Sequence, residues 1–278
     1  MIPFKLSTSA QSSLTEIIET AYRSVAPELC PIYLGELLIG HTQASLVQNI
    51  DQYLQQEEQE LNFLQVSHNR LVLTPTTPHD LSIELRILSQ YLREQHLITG
   101  WRDEEFSYLD DIGHERFRVE RSIFKLFGFQ SRAVHINGYM NGDILCLARR
   151  SATKQIDPLL IDNLTAGGVS ANETVLDCAI RELFEEASVS ATDAFGLHPI
   201  GLISVRRNIP HFGVHHEALY TFDLKLHDAF IPKNQDDEVC EFLFVTYEEA
   251  LHLIMSNKMT IDAAVVTADF LLRHCANL

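Results

Sequence analysis

The chain has 278 residues, 46% of them hydrophobic and 21% charged, and a formal net charge of −17. That length holds one large domain or two ordinary ones, and the composition is that of a globular rather than a disordered chain. The acidic balance excludes non-specific nucleic-acid or anionic-membrane binding, both of which need a positive field, but a local basic pocket can still capture a small anion.

The start, "MIPFKLSTSAQSSLTE", has no long apolar run, and nothing in the chain approaches a membrane span. The five cysteines (Cys30, Cys146, Cys178, Cys240, Cys275) are scattered and form no C-x-x-C pair, so they read as reduced thiols. The expectation is a cytoplasmic protein with neither a membrane nor a nucleic acid as partner. In chain order, Leu14, Ile17, Ile18, Ala21, Tyr22 and Val25 fall at helical spacing, which predicts a helix over 13–25 with Ser13 and Glu16 as a capping box. "PIYLGELLIG" reads as a strand and Leu46, Val47, Ile50 and Leu54 as a second helix, while "LNFLQVS" and "RLVLTP" are short strands around a polar turn. Thr77-Pro78 opens a helix carrying Leu81, Leu85, Leu88 and Leu92. This mixed α/β unit shows no catalytic grouping; its His41, His68, His79 and His96 are isolated and read as surface or packing residues.

"VERSIFKLFG" is a short helix stopped by Gly128, and "RAVHINGYM" and "DILCLARR" are strands joined by Asn141-Gly142, a strong hairpin signal. Further on, "PIGLISVRR", "HHEALYTFDLKL" and "VCEFLFVT" read as strands, and "YEEALHLIM" and "TIDAAVVTADFLLRH" as helices. The expected fold is α+β: a mixed α/β N-terminal domain over 1–125 and an α/β/α sandwich over 126–278.

Between those strands lies "LTAGGVSANETVLDCAIRELFEEASVS", residues 164–190. On a helix over 173–187, Val175, Ala179 and Leu183, with Ile180 less regularly, form the buried side, while Glu182, Glu185 and Glu186 share one face. Three carboxylates at that spacing repel, and they sit at the negative end of the helix dipole, so local helix stability would not select them. A divalent cation such as Mg²⁺ or Mn²⁺ would, because it takes hard oxygen ligands and removes the repulsion. Arg181 is placed to hold a carboxylate with its guanidinium fork, and Gly167 and Gly168 predict a tight turn facing a ligand. The bland alternative is a solvated acidic helix end.

The run Gly167-x5-Glu173-x7-Arg181-Glu182-Leu183-x-Glu185-Glu186-x-Ser188-Val189 resembles the Nudix box, G-x5-E-x7-R-E-U-x-E-E-x-G-U, where U is bulky and apolar. It departs at one position, where Ser188 replaces the helix-ending glycine; kept left-handed, a serine there costs roughly 1 kcal/mol. "GWRDEEF", "VERSIFKLFGF", "VHINGYM", "IDNLTAGG" and "VTADFLLRH" extend the similarity to a Nudix branch with an extra N-terminal domain, labelled thiamine-pyrophosphokinase-related. The resemblance runs from about residue 85 to the C-terminus and more weakly from the start. It implies a hydrolase that cuts thiamine diphosphate, or its oxidised forms, to the monophosphate. It implies no kinase, since no G-x-x-x-x-G-K-[ST] is present.

The resemblance further implies Glu182, Glu185 and Glu186 as metal ligands, Glu186 and Glu182 foremost. A loop acid in "NQDDEVCE" would serve as general base, Glu238 first and Asp237 or Glu241 after it. Arg149, Arg150 and Lys154 are candidate contacts for phosphate or an aromatic substrate, although adjacent arginines on a strand face opposite sides. His135 and Asn137 are candidate pocket residues, and Glu217 stands where the branch has an acid beside the site, while His215 and His216 read as surface residues. Trp101, with Arg102 and Asp103, packs between domains or over a substrate ring. Two other functions compete: hydrolysis of a nucleoside-diphosphate-type substrate such as ADP-ribose, and a non-catalytic ligand sensor or docking module.

Overall fold

The computed structural model describes residues 4–56, 63–67, 69–154, 156–210 and 213–276. His68 and the first two residues of "LNFLQVS" lie outside that set. The first helix, α1 (Thr8–Glu19), starts earlier than its spacing predicts, because Ser7 rather than Ser13 caps it by accepting from the Ala10 amide at 3.2 Å. Then follow β1 (Cys30–Leu34), β2 (Leu37–Thr42), α2 (Ala44–Gln56), β3 (Leu64–Ser67), β4 (Arg70–Leu73) and α3 (Pro78–Glu94). The four strands make one sheet in the order β2-β1-β4-β3. The apolar stripe of α3, from Leu81 to Leu92, is buried with Ile32, Leu71 and Leu73 from that sheet.

A hairpin of β5 (Glu105–Leu109) and β6 (Glu115–Glu120) follows, and then α4 (Arg121–Phe127), which Gly128 ends at φ 60°. Phe106, Phe117, Phe124 and Phe129 meet edge to face and close this first core.

The remaining chain forms β7 (Ser131–Met140), β8 (Ile144–Arg150), β9 (Ile161–Asp162), β10 (Thr165–Gly168), α5 (Val175–Ala187), β11 (Leu197–Ile209), β12 (Gly213–Lys225), β13 (Val239–Thr246), α6 (Tyr247–Met255) and α7 (Ile261–Cys275). Its sheet runs β11-β12-β7-β8-β13. β7 is paired along one edge by β12; its other edge is shared, β8 taking residues 138–140 and β10 taking 133–136. The far end of β8 pairs β9 instead. The sheet therefore forks beyond the hairpin, and β9 and β10 enter the fork.

Alternation along β7 sorts the two faces. Val134 and Ile136 are buried with Leu183 of α5, whereas Ala133 is buried with Val265 and Val266 of α7. This is a helix–sheet–helix sandwich. The helix predicted at the start of the chain belongs to that sandwich by its contacts: α1 packs on α7, and Leu6 and Leu14 share a cluster with Phe270 and Leu271. Among the described residues no helix is long and apolar enough to cross a membrane.

Candidate active site

The glycine pair that predicts a tight turn does not form one. Gly167 and Gly168 are extended in β10, paired to Val134 and Ala133. Glycine is needed there for close approach: a Cβ at 167 would lie 1.8 Å from Glu182 Oε1, and one at 168 would lie 2.4 Å from the ring of Phe106. One glycine makes room for a carboxylate of α5, the other for a ring from the N-terminal hairpin.

Thr174 begins α5 in a capping box with Asp177. The helix ends at Ser188 in the left-handed conformation (φ 54°, ψ 31°), so serine keeps the geometry of the glycine it replaces. Its hydroxyl gives a local reason: Ser188 Oγ donates to the Lys233 carbonyl at 2.5 Å and accepts from Gln235 Nε2 at 3.1 Å. The strained residue thereby ties the helix end to the loop 233–238.

Arg181 grips three carboxylates. It donates to Glu173 from Nε (2.7 Å) and Nη2 (3.0 Å), and from Nη1 to Glu182 (2.7 Å) and Glu185 (3.0 Å). Although burial pushes Glu173 up, Arg181 holds its carboxyl below the usual range. Glu185 is the most exposed member of the triplet, whereas Glu182 and Glu186 are both buried. Burial raises Glu182, and it raises Glu186 to about 8, with the charge of Glu182 adding to the effect. Glu186 Oε2 accepts a hydrogen bond from the Ala166 amide at 3.0 Å.

The loop 233–238 brings more acids. Carboxylate oxygens of Glu186, Asp236 and Glu238 lie within 4.8 Å of one another. Lys154 contacts the Glu238 carboxylate, and its Nζ stands 4.0 Å from Glu186. Burial lowers Lys154 and raises Asp236. Hard carboxylate oxygens thus crowd a partly desolvated space with a deficit of positive charge. That is the donor chemistry of a Mg²⁺ or Mn²⁺ site, and the residues fit such an ion. Asp236 was not singled out in the sequence, although the acid run in "NQDDE" was the available signal.

The other candidates divide. Arg149 and Arg150 face opposite ways, as strand geometry requires. Arg150 donates to Asp162 (2.9 Å) and to the Ile156 and Asp157 carbonyls, whereas Arg149 pairs with Glu241 at 2.7 Å. His135 and Asn137 lie on the face toward α7. His135 Nδ1 is 2.8 Å from Asn163 Oδ1; Asn137 donates to Asp223 and accepts from Asn163, which in turn donates to Thr267 of α7. They belong to a buried polar chain rather than to the grouping around Glu186.

Glu217 accepts from Ser131 at 2.8 Å and lies 3.7 Å from His215, whose Nε2 is 3.0 Å from Asp262. His215 is buried, not a surface residue as expected, because Asp262 gives it an ionic partner at the start of α7. His216 is also largely covered, edge-on to Tyr22; burial lowers it to about 4, with Arg206 contributing. Trp101 lies under Arg93 (4.4 Å to the ring centre) and donates to Asp103 at 2.7 Å. It lines a cleft of about 560 Å³ with Arg86, Glu104, Ser170 and Glu173, between the N-terminal unit and the start of the carboxylate segment.

Residues 130–270 match the family model described as the NUDIX domain. The chain belongs to the Nudix family. It is 26% identical over 253 residues to Nudix hydrolase 24, chloroplastic, of Arabidopsis thaliana, covering 89% of this chain and 68% of that protein. It is 28% identical over 202 residues to Nudix hydrolase 20, chloroplastic, of the same plant, covering 71% of this chain and 54% of that one. The crystal structure of DR0079 from Deinococcus radiodurans superposes with a TM-score of 0.48 at 20% identity, over 62% of this chain and 99% of that one. Family and hydrolase relatives make this Nudix protein a diphosphohydrolase.

Proposed function

We propose that this Nudix protein cleaves the diphosphate linkage of a small molecule with Mg²⁺, or Mn²⁺, and that its substrate is thiamine diphosphate or an oxidised form, released as the monophosphate. The observation that carries the metal-dependent reading is the buried Glu186, raised to about 8 among Glu182, Asp236 and Glu238, with Lys154 Nζ 4.0 Å away. Glu182, Glu185 and Glu186 from α5, with Asp236 from the loop, would hold the cation. Bound there, a divalent ion would offset the charge of the diphosphate and lower the pKa of an attacking water.

The chain's own residues supply the rest. Glu238 shares the same space and accepts the water's proton. Lys154 contacts a non-bridging phosphate oxygen as a point charge, while Arg150, bonded to Asp162, adds positive charge nearby. Arg181 holds Glu182 and Glu185 in place while it anchors Glu173. The preference for thiamine compounds rests on the sequence resemblance to the thiamine-pyrophosphokinase-related branch.

The test is a product assay. Purified protein with Mg²⁺ is given thiamine diphosphate, its oxidised analogue, ADP-ribose and a panel of nucleoside diphosphates and triphosphates. Monophosphate formed fastest from the thiamine compounds is the expected result. Faster turnover of a nucleotide keeps the chemistry and discards the thiamine assignment. Mg²⁺ binding without turnover of any compound favours a ligand sensor.

A further inference from the structure

The two carboxylate oxygens of Glu238 are held from opposite directions in the sequence. Lys154, on the Nudix side, contacts Oε2. Arg102 Nη1 donates to Oε1 at 3.0 Å, from a segment 136 residues earlier that lies between α3 and β5.

That segment is built to deliver residue 102. Glu120 is buried at 5% exposure, and one of its oxygens accepts from the Arg102 amide while the other accepts from the Glu104 amide, both at 3.1 Å. A single buried carboxylate thus pins the backbone on both sides of Asp103, which is left-handed at φ 56°. Glu104 is fixed in turn by Arg121 (2.5 Å) and by Ser170 Oγ (2.6 Å). The Ala171 amide donates to the Glu105 carbonyl at 2.8 Å, so this segment is also bonded to the loop that leads into α5. Arg102 therefore projects from a backbone fastened both to the N-terminal core and to the catalytic helix's approach.

We propose that Arg102 is a positioning residue of the hydrolase site, supplied by the N-terminal unit: it sets the orientation of the Glu238 carboxylate for proton transfer. This rests on Glu238 being the proton acceptor of the proposed diphosphohydrolase. A carboxylate held by one cation still swings about its last torsion, whereas one held through both oxygens presents fixed lone pairs, and small displacements of a general base are costly in rate. The N-terminal unit is then part of the catalytic apparatus and more than an appended domain.

The experiment is a double-mutant cycle on the full chain with Arg102→Ala, Glu238→Gln and the pair, plus Arg102→Lys and Glu186→Gln. Arg102→Ala is expected to lower kcat roughly 10- to 100-fold with KM within about 3-fold. Arg102→Lys should recover part of the loss, and Arg102→Ala should add nothing in the Glu238→Gln background. Mn²⁺ affinity, followed by electron paramagnetic resonance without substrate, should be the same in Arg102→Ala as in the native protein. An additive cycle, a native kcat for Arg102→Ala, or a loss that tracks weaker Mn²⁺ binding overturns the proposal. If Glu186→Gln and Glu238→Gln are both inactive in that case, the functional reading survives; if Glu186→Gln keeps full activity, the functional reading fails with it.

Discussion

Two groups of largely covered acids in the sandwich have opposite fates. On α5, burial raises both Glu182 and Glu186, with the charge of Glu185 adding to the first and that of Glu182 to the second. At the start of α7, burial also works against Asp262, but His215 and Arg207 (2.8 Å) overcome it and hold that carboxyl well below the usual range. Asp223 is likewise held down despite burial by His274, Arg273 and Asn137. Burial alone decides neither case. Asp262 and Asp223 carry their counter-charges in the fold, whereas the α5 acids lack enough of theirs, and that unmet demand is what the proposed metal site rests on.

Removing one acid from each group gives the sharpest contrast. Glu186→Gln should cut Mg²⁺-dependent turnover by about 10³-fold. Its metal-free melting temperature should not fall, since glutamine is the neutral counterpart of the protonated acid and needs no proton uptake on folding; a nearly native rate in the hydrolysis assay would refute the site. Asp262→Asn should do the reverse. It leaves His215 and Arg207 without their anion and should cost about 3 kcal/mol in urea unfolding, and a loss under about 0.5 kcal/mol would erase the contrast.

The pH dependence of stability sharpens it further. Without metal, folded Glu186 keeps a proton that the unfolded chain releases, so its contribution is complete below about pH 4.5 and is lost as pH rises toward about 8. Metal-free protein should therefore be less stable at pH 8 than at pH 5 on this account. Melting scans in EDTA test this, and Glu186→Gln or saturating Mg²⁺ should flatten or reverse the slope. Asp262 contributes in the opposite sense, its share being present above about pH 4 and lost only in stronger acid.

The smallest effect is expected at Ser188. Ser188→Gly relieves roughly 1 kcal/mol of left-handed strain but gives up the bonds to Lys233 and Gln235. Unfolding should therefore shift by less than about 1 kcal/mol, while kcat drops a few-fold as the loop bearing Asp236 and Glu238 loosens. A gain in both stability and rate would show that the serine does nothing for the loop.

The sequence disclosed these features unevenly, for physical reasons. Glu182 and Glu186 were legible because one helix's period fixes both, as were the β7–β8 hairpin and α3 with its proline start. Asp236 comes to Glu186 only through a loop, and Arg102 meets Glu238 across 136 residues; no local period carries such contacts. His135 and Asn137 alternate as pocket residues would, but alternation cannot say which face is which, and theirs is the face under α7. Gly167 and Gly168 signalled a backbone constraint correctly and a turn wrongly, because close approach to Glu182 and Phe106 demands glycine as strictly as a positive φ does.

The seam between α1 and α7 also bears on how the chain is made. The Leu6 amide donates to the Cys275 carbonyl at 3.0 Å, and Leu14 is buried in the cluster that holds Phe270. During synthesis α1 leaves the ribosome long before α7, so part of its apolar stripe waits for a distant partner. Loop closure over that distance is slow to find, and an exposed stripe meanwhile invites chaperones or aggregation. The first core, built from residues 30–129, can assemble in the interval, so the segment carrying Arg102 stands ready before the helix bearing Glu186 has been translated.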